Sequence, residues 1–397
     1  MRLHRSICTL SALGVGLVML CVSTAATAAI VVRPGESIQA AVDAASPGET
    51  IVVKPGTYYG AAGADEGVRI KKDGIRLIGN SNSGKGGKVI LVPNPDGSNK
   101  DGILAEPEDE EAPEIQGFHI QGFTVQGFPN NGIKLERVNT FTIEGNESID
   151  NLENGIQPEL SANGLVKNNL SYGSKDSALW VEGGVNVRVI GNVTHSSVTG
   201  LEVTISKDLV IKNNESYNNT VGMGLYHPSS ASEPALPVME NWQVENNYIH
   251  DNNYPNMAPP ESSAAGIPLG GGILLMGVSK NVLSRNRVEN NHFYGLAVID
   301  FCVAQEGGFD FINGGYELPG PPWCTANWSG ADPVPRDNVI ERNTFVNNGT
   351  DPPPHPLAPF AADIVYAVPD PTAGNCFDRN TYTTYSSIFG GGLPPCP

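Results

Sequence analysis

The chain has 397 residues, of which 42 are acidic and 24 are basic, so its formal net charge is −18. A surface this acidic repels phosphate backbones and anionic lipids, so nucleic acids and membrane surfaces are not expected partners. The negative charge is compatible with cation binding, or it serves only to keep the protein soluble. A chain of this length usually forms two or more domains, but a regular repeat permits one continuous stack.

The N-terminal segment has the pattern of a secretory signal peptide. Two arginines precede an apolar run over residues 7–22, and the small residues Ala26–Ala28 follow. The run is too short and wrongly flanked for a membrane anchor. We therefore predict that residues 1–28 are removed, which changes the net charge from −18 to −20, and that the protein is exported to the periplasm or the extracellular space. Cys21 leaves a lipoprotein open as the alternative, although Leu20 is bulky for a lipid-attachment site.

Residues 37–45 have the pattern of a short amphipathic helix. Ser37 is a good N-cap residue, and four apolar residues follow at helical spacing. These are Ile38, Ala41, Val42 and Ala45. The open end of a repeat stack invites another chain to pair with it, so we predict a capping helix here, followed by the first strands at Ile51–Lys54.

A short apolar start then recurs along the chain. Ile133 returns as Ile156, Leu179 and Leu201, at intervals of 23, 23 and 22 residues. A column of asparagines follows, thirteen residues beyond each start. Its members are Asn146, Asn169, Asn192, Asn214, Asn247, Asn286, Asn343 and Asn380, with Asn80 as an earlier member and Phe123 in one equivalent place. Each unit holds three short alternating pieces between Gly and Asn, and no segment of helix length.

This pattern predicts that each unit is one coil of a parallel β-helix. Each strand would pair in parallel with its copy one turn away, at about 4.8 Å. Stacked asparagines would form a ladder, and asparagine tolerates left-handed turns. Leucine-rich and helical solenoids have other patterns, and right-handed connections are the default. We therefore predict an all-β protein, a single-stranded right-handed parallel β-helix of about ten coils that occupies residues 29–397 as one domain.

Loops and cysteines complete the predicted architecture. Insertions rich in Pro, Gly and Ser interrupt the repeat near 229–270, 303–335 and 350–360, and residues 376–397 would cover the last coil. The cysteines outside the signal are Cys302, Cys324, Cys376 and Cys396. An even number in an oxidising compartment predicts two disulfides, and neighbours in sequence favour Cys302–Cys324 and Cys376–Cys396, although spacing does not determine connectivity. Zinc is the alternative, but no Cys-x-x-Cys pair exists.

The stretch "ESIQAAVDAASPGETIVVKPGTYYG" and the repeats that follow it resemble right-handed parallel β-helix proteins of the pectin-lyase-like superfamily. Within it the chain most resembles an exported group of β-helix repeat proteins, and it is distantly similar to mannuronan epimerases and NosD-like proteins. The resemblance covers nearly all of the mature chain and implies the fold. It implies no activity, because many functions share this architecture.

Motifs of the better-known enzymes of this superfamily are incomplete. Mannuronan epimerases resemble one another in an Asp-Pro-His motif, whereas this chain has Tyr226-His227-Pro228. Pectin methylesterases have a stretch similar to that around Asp310, but here it lies in an insertion and the later Arg-Pro-Trp element is missing. Neither mechanism can be transferred to this chain.

The first strand of each coil is predicted to present two outward columns. The first contains Lys134, Gln157, Trp180 and Glu202, and the second contains Glu136, Glu159, Glu182, Thr204 and Tyr226, with Glu106 before them. Stacked glutamates about 5 Å apart repel one another, and the fold does not require them, which indicates a function. The alternative is that these glutamates are splayed harmlessly in solvent and that Trp180 packs under an insertion.

Three roles follow for this face. Glu136, Glu159 and Glu182 are the candidate Ca²⁺ ligands, although one carboxyl with a raised pKa is an alternative. Trp180, Gln157 and Glu202 are the candidate substrate-binding residues, and the catalytic candidates are Lys134, Tyr226 and His227. The insertion that contains Trp323 and Trp328 is a candidate wall of the groove.

The function predicted from these features is binding of a polysaccharide or another extended polymer, with or without Ca²⁺. The first alternative is a lyase or epimerase that acts on acidic sugars, and the second is a structural solenoid that assembles with another exported protein. A bridging cation would be required if uronate carboxylates met this acidic face. Whether the protein is an enzyme stays open at this point.

Overall fold

Short parallel strands dominate the computed structural model, which describes residues 29–79, 87–226, 239–306 and 333–397. Within these residues the strands form three long sheets, named A, B and C, with 12, 10 and 11 strands. Neighbouring strands in each sheet come from successive coils and are parallel. The predicted parallel β-helix is therefore confirmed.

The strands of the three sheets follow one another around each coil. Sheet A contains Ile30–Val32, Thr50–Val53, Ile75–Gly79, Ile115–Gln121, Val138–Glu144, Ala162–Lys167, Val185–Ile190, Val210–Lys212, Gln243–Glu245, Val282–Ser284, Val339–Glu341 and Cys376–Asp378. Sheet B contains Gly56–Tyr59, Val89–Val92, Phe123–Gln126, Glu147–Ile149, Leu170–Tyr172, Val193–His195, Glu215–Tyr217, Tyr248–His250, Arg287–Glu289 and Thr344–Val346. Sheet C contains Glu66–Ile70, Asp101–Ala105, Ile133–Glu136, Ile156–Glu159, Ser177–Glu182, Thr199–Thr204, Val221–Tyr226, Gly271–Met276, Tyr294–Ile299, Ala362–Ala367 and Tyr385–Ser387.

The register of these sheets follows the sequence repeat. Ile133 pairs with Ile156, and Ile143 pairs with Val166, each 23 residues later. The inward side chains form one continuous core that extends from Val32 to Phe377. Because alternate residues of a strand point to opposite faces, the recurring apolar starts all face this interior.

The predicted asparagine ladder is present inside the turns between sheets A and B. Asn146 Nδ2 donates a hydrogen bond to Asn169 Oδ1 at 3.1 Å, and Asn169 Nδ2 donates to Asn192 Oδ1 at 3.0 Å. The same bond continues to Asn380. The left-handed residue of each turn, however, is the one before the ladder asparagine, with φ of 53° at Asn168 and 67° at Gly191. Asn80 lies outside the described residues.

A helix, α1 (Ile38–Ala44), closes the N-terminal end. Ser37 Oγ accepts a hydrogen bond from Ala40 N at 3.1 Å, and Ile38 and Val42 are buried. Lys72 Nζ donates to three backbone carbonyls at the end of the helix, which stabilises its C-terminus.

The first strand begins earlier than predicted. Thr50–Val53 forms the strand expected at 51–54, but Ile30–Val32 precedes it and pairs with it. Three residues are too few to show an alternating pattern, so the sequence gives little sign of that strand.

Three further short helices among the described residues lie in or beside the insertions. They are α2 (Phe301–Glu306) and the 3₁₀ turns Ser263–Gly266 and Ala358–Phe360. No helix within the described ranges has the length and apolar character needed to cross a bilayer.

The C-terminal segment is bound to the last coil. A disulfide joins Cys376 to Cys396, as predicted, and Phe377 N donates a hydrogen bond to Pro394 O at 2.8 Å. Cys302 is also disulfide-bonded. Its predicted partner, Cys324, lies outside the described residues.

Candidate functional site on the outer face of sheet C

Sheet C aligns the predicted outward residues in two columns. The first column contains Lys134, Gln157, Trp180 and Glu202. The second contains Glu136, Glu159, Glu182 and Thr204. Members of one column lie on adjoining coils, which are about 4.8 Å apart.

Lys134 lies between two carboxylates of the second column. Its Nζ atom is 2.7 Å from Glu159 Oε2 and 3.4 Å from Glu136 Oε2. Burial would lower the pKa of Lys134, but the hydrogen bonds and charges of the two glutamates outweigh burial and raise it. A lysine held in its charged form is a poor general base. This environment opposes a role for Lys134 in proton abstraction and makes it the counter-ion of the two glutamates.

The same ion pairs bear on the predicted calcium site at Glu136, Glu159 and Glu182. The Lys134 ammonium group bridges the first two glutamates, and Gln157 Nε2 donates a hydrogen bond to Glu182 Oε2 at 3.1 Å. In the part of the chain that the structure describes, no group of three or more His, Cys, Asp or Glu side chains is arranged to hold a metal ion. The calcium site at these three glutamates therefore stays a hypothesis.

Trp180 is partly exposed on this face. Its Nε1 atom donates a hydrogen bond to Thr204 Oγ1 at 2.9 Å, on the next coil. Because this bond restrains the ring, the indole presents a surface of fixed orientation. An aromatic ring with one apolar face accessible and its N–H bonded can pack against the apolar face of a sugar.

Beside Trp180 lies a buried carboxyl group, that of Glu202, with only 5 % of the residue exposed. Ser177 Oγ donates a hydrogen bond to Glu202 Oε2, and the Tyr226 hydroxyl is also hydrogen-bonded to this carboxyl. Burial, together with the charge of Asp176, raises the pKa of Glu202 to about 8. Glu202 therefore keeps a proton at neutral pH.

Asp176 also belongs to this site, although it is in neither of the two predicted columns. It precedes the strand Ser177–Glu182, and its backbone N donates to Glu153 O at 3.2 Å on the previous coil. Burial, together with the charge of Glu153, raises the pKa of Asp176 to about 7. Glu153 and Asp176 are 23 residues apart, so the repeat interval itself is the signal that would have found them.

Tyr226 forms the far side of this cluster. Burial raises the pKa of its hydroxyl well above the ordinary value, and the charges of Glu202 and Asp176 add to the effect. A tyrosine in this state is a hydrogen-bond donor and a poor base. His227, the other catalytic candidate of this strand end, lies outside the described residues, as do Asp310, Trp323 and Trp328.

Solved structures share this architecture over most of the chain. The A-module of mannuronan C-5 epimerase AlgE4 from Azotobacter vinelandii is 17% identical, with a TM-score of 0.59, and the match covers 89% of this chain and 95% of that one. The A-module of AlgE6 from the same organism is 16% identical, with a TM-score of 0.58 and coverage of 88% and 91%. DFA-IIIase from Arthrobacter chlorophenolicus A6, in complex with GF2, is 15% identical, with a TM-score of 0.51 and coverage of 84% and 78%.

Sequence comparison leads to the same fold. A search of curated protein sequences finds no match. The family model described as "Right handed beta helix region" matches residues 101–233 and 229–380, well over half of the chain. Together with the three parallel sheets, this match shows that the chain belongs to the right-handed β-helix family.

Proposed function

We propose that this protein is an exported polysaccharide-binding β-helix and that the sugar chain lies on the outer face of sheet C. The observation that supports this proposal is Trp180, a partly exposed indole that Thr204 restrains. Polar groups surround it on the same face, among them the Gln157 amide and the Glu202 carboxyl. Binding sites for sugars need such a combination of an apolar surface and a few fixed polar groups.

Protonation of the Glu202 and Asp176 carboxyls reduces the negative charge of this face. The raised pKa of Glu202 and of Asp176 leaves protons on these carboxyls near neutral pH. A protonated carboxyl carries no charge, so this face repels a uronate carboxylate less than ionised carboxyls would, and a bridging cation is not required. We therefore expect uronate binding to depend less on calcium than the acidic residues of this face alone would predict.

The structural neighbours agree with a sugar ligand. Two of them are modules of mannuronan C-5 epimerases, and their match covers nearly their whole length. At 16–17% identity this likeness shows a shared fold only, so the proposed ligand depends on Trp180 and its polar neighbours.

Calorimetric titration tests the proposal. The probes are alginate, polygalacturonate, chitosan and xylan, each with calcium and with a chelator. We expect at least one polymer to bind and Trp180→Ala to lower its affinity by roughly tenfold, or about 1.4 kcal/mol. The matched control is Val185→Ala, which changes an exposed residue of sheet A on the same coil. If no polymer binds, or if both variants bind alike, the proposal fails and the structural solenoid is favoured.

A second candidate function is catalysis on acidic sugars, and the pair of carboxyls favours it. Asp176 and Glu202 titrate near neutrality, where a general base and a general acid work best. The ionised member would take the C5 proton of a uronate. In a lyase the C4–O bond would then break, leaving a C4–C5 double bond, and the protonated member would give its proton to the departing C4 oxygen. In an epimerase the protonated member would instead give its proton to C5 from the opposite face.

Incubation with alginate or polygalacturonate tests this second function. A lyase produces the absorbance of unsaturated uronate, and an epimerase changes the uronate composition seen by proton NMR. Glu202→Gln should abolish either signal, because glutamine cannot exchange a proton. If wild-type protein gives neither signal, with calcium or with a chelator, binding alone is left.

A further inference from the structure

The outer face of sheet C changes character beyond Glu202. On the following coils the outward positions are apolar and almost completely buried. They are Leu274, Met276, Ala297, Ile299, Val365 and Ala367. Phe301 and Ala304 of α2 belong to the same apolar cluster. The helix therefore packs against this apolar half of the face, and the polar surface ends at the coil of Glu202.

The other end of the face is closed by α1. The strand Glu66–Ile70 is the terminal strand of sheet C, so one of its edges has no strand from the described residues beside it. Gln39 of α1 replaces that strand: its Oε1 accepts from Arg69 N at 2.6 Å, and its Nε2 donates to Arg69 O at 3.1 Å. The helix is thus hydrogen-bonded to the end of the sheet and lies beside its terminal strand.

A cavity of about 310 Å³ lies where α1 meets this strand. Its walls include Gln39, Val42 and Asp43 from the helix, and Ala64, Glu66 and Arg69 from the sheet side. Arg69 forms ion pairs with Glu66 and Glu106, which fix its guanidinium group beside the cavity. The walls therefore combine an apolar side chain, Val42, with hydrogen-bonding groups such as Gln39 and Arg69, as ligand sites do.

Four strands lie between Glu66–Ile70 and Thr199–Thr204 in sheet C. Five coil spacings of about 4.8 Å give the polar face a length of about 24 Å. A pyranose residue in an extended chain is about as long as one spacing, so about five residues fill this length.

We propose that the outer face of sheet C is a groove closed at both ends and that the cavity beside α1 receives the terminal residue of a sugar chain. The inference rests on the proposed polysaccharide binding and specifies its substrate as oligosaccharides or chain ends. Chain interiors that must extend past α1 or α2 are excluded.

Oligosaccharides of graded length test this proposal. Oligomers of mannuronate, galacturonate, glucosamine and xylose, from two to eight residues long, are titrated calorimetrically. We expect the affinity of the series that binds to rise up to about five residues and then to stay within about twofold. An affinity that keeps rising through eight residues contradicts the closed groove while the proposed function stands. If no oligomer and no polymer binds, both proposals fail.

A variant that fills the cavity locates the end of the groove. Ala64→Trp should weaken binding of the five-residue oligomer about tenfold and leave that of the three-residue oligomer within twofold, because the shorter chain can bind near Trp180 alone. Ala40→Trp, on the exposed side of α1, is the matched control and should behave as wild type. Equal loss for both oligomers in Ala64→Trp contradicts a terminal subsite, and thermal melting checks that the variant is folded.

Discussion

The indole Nε1 of Trp180 donates a hydrogen bond to Thr204 Oγ1 on the next coil of sheet C, over 2.9 Å. Thr204 is fully buried, so this bond joins a surface residue to a fixed point of the scaffold. Thr204→Val keeps the shape and removes the acceptor. We expect sugar affinity to fall about three- to tenfold, in keeping with one hydrogen bond of about 0.5–1.5 kcal/mol. Calorimetric titration measures this loss.

Thr194→Val is the control for that substitution. Thr194 is a buried threonine of sheet B and is not part of the outer face of sheet C. Its variant should bind sugar as wild type does. If Thr204→Val binds with unchanged affinity as well, the orientation of the ring does not matter for binding.

The asparagine ladder should be a main source of stability. Asn192 Nδ2 donates to Asn214 Oδ1 and to Val166 O, both at 3.0 Å, and its Oδ1 accepts from Asn169. Asn192→Ala leaves buried partners without hydrogen bonds, so we expect the free energy of unfolding to fall by about 2–4 kcal/mol. Denaturant titration measures the loss. The control is Gln116→Ala, at an exposed residue, which should change the free energy of unfolding by less than about 0.5 kcal/mol. Equal losses in Asn192→Ala and Gln116→Ala would show that the ladder is dispensable.

The repeat explains which features the sequence could predict. Strand register, buried residues and the two outward columns depend on backbone spacing, and an interval of 22 or 23 residues is enough to predict them. Contacts within a column depend on side-chain rotamers, which the interval does not determine. The bridging position of Lys134 between two glutamates was therefore missed. Asp176 was missed because it directly precedes the strand Ser177–Glu182 and lies outside the two outward columns.

The Lys134 ammonium group should neutralise Glu136 and Glu159 as a bound metal ion otherwise would. Lys134→Met leaves Glu136 and Glu159 close together without their counter-ion, and we expect a loss of about 1–2 kcal/mol in the free energy of unfolding. Millimolar calcium should raise the melting temperature of this variant by several degrees and that of wild type by less than about one degree. Glu159→Gln in the Lys134→Met background should remove the calcium response.

The opposite result would restore the calcium hypothesis. Strong stabilisation of wild type by calcium, lost in Glu159→Gln, would mean that the glutamate column binds the ion despite Lys134. Thermal melting in calcium and in chelator distinguishes the two cases for each variant.

The buried carboxyls should make stability fall as the pH rises. The pKa values of Glu202 and Asp176 are raised to about 8 and about 7 in the folded protein, whereas unfolded carboxyls titrate near 4. Between about pH 4 and pH 8 the folded chain binds more protons than the unfolded chain, so each carboxyl lowers stability by up to about 1.4 kcal/mol per pH unit. Glu202→Gln should therefore melt as wild type does at pH 5 and several degrees higher at pH 9. The control is the exposed Glu114→Gln, whose melting temperature should differ from that of wild type by the same amount at pH 5 and pH 9. If the difference between Glu202→Gln and wild type is also constant across this range, Glu202 is ionised at neutral pH and cannot donate a proton to a bound sugar.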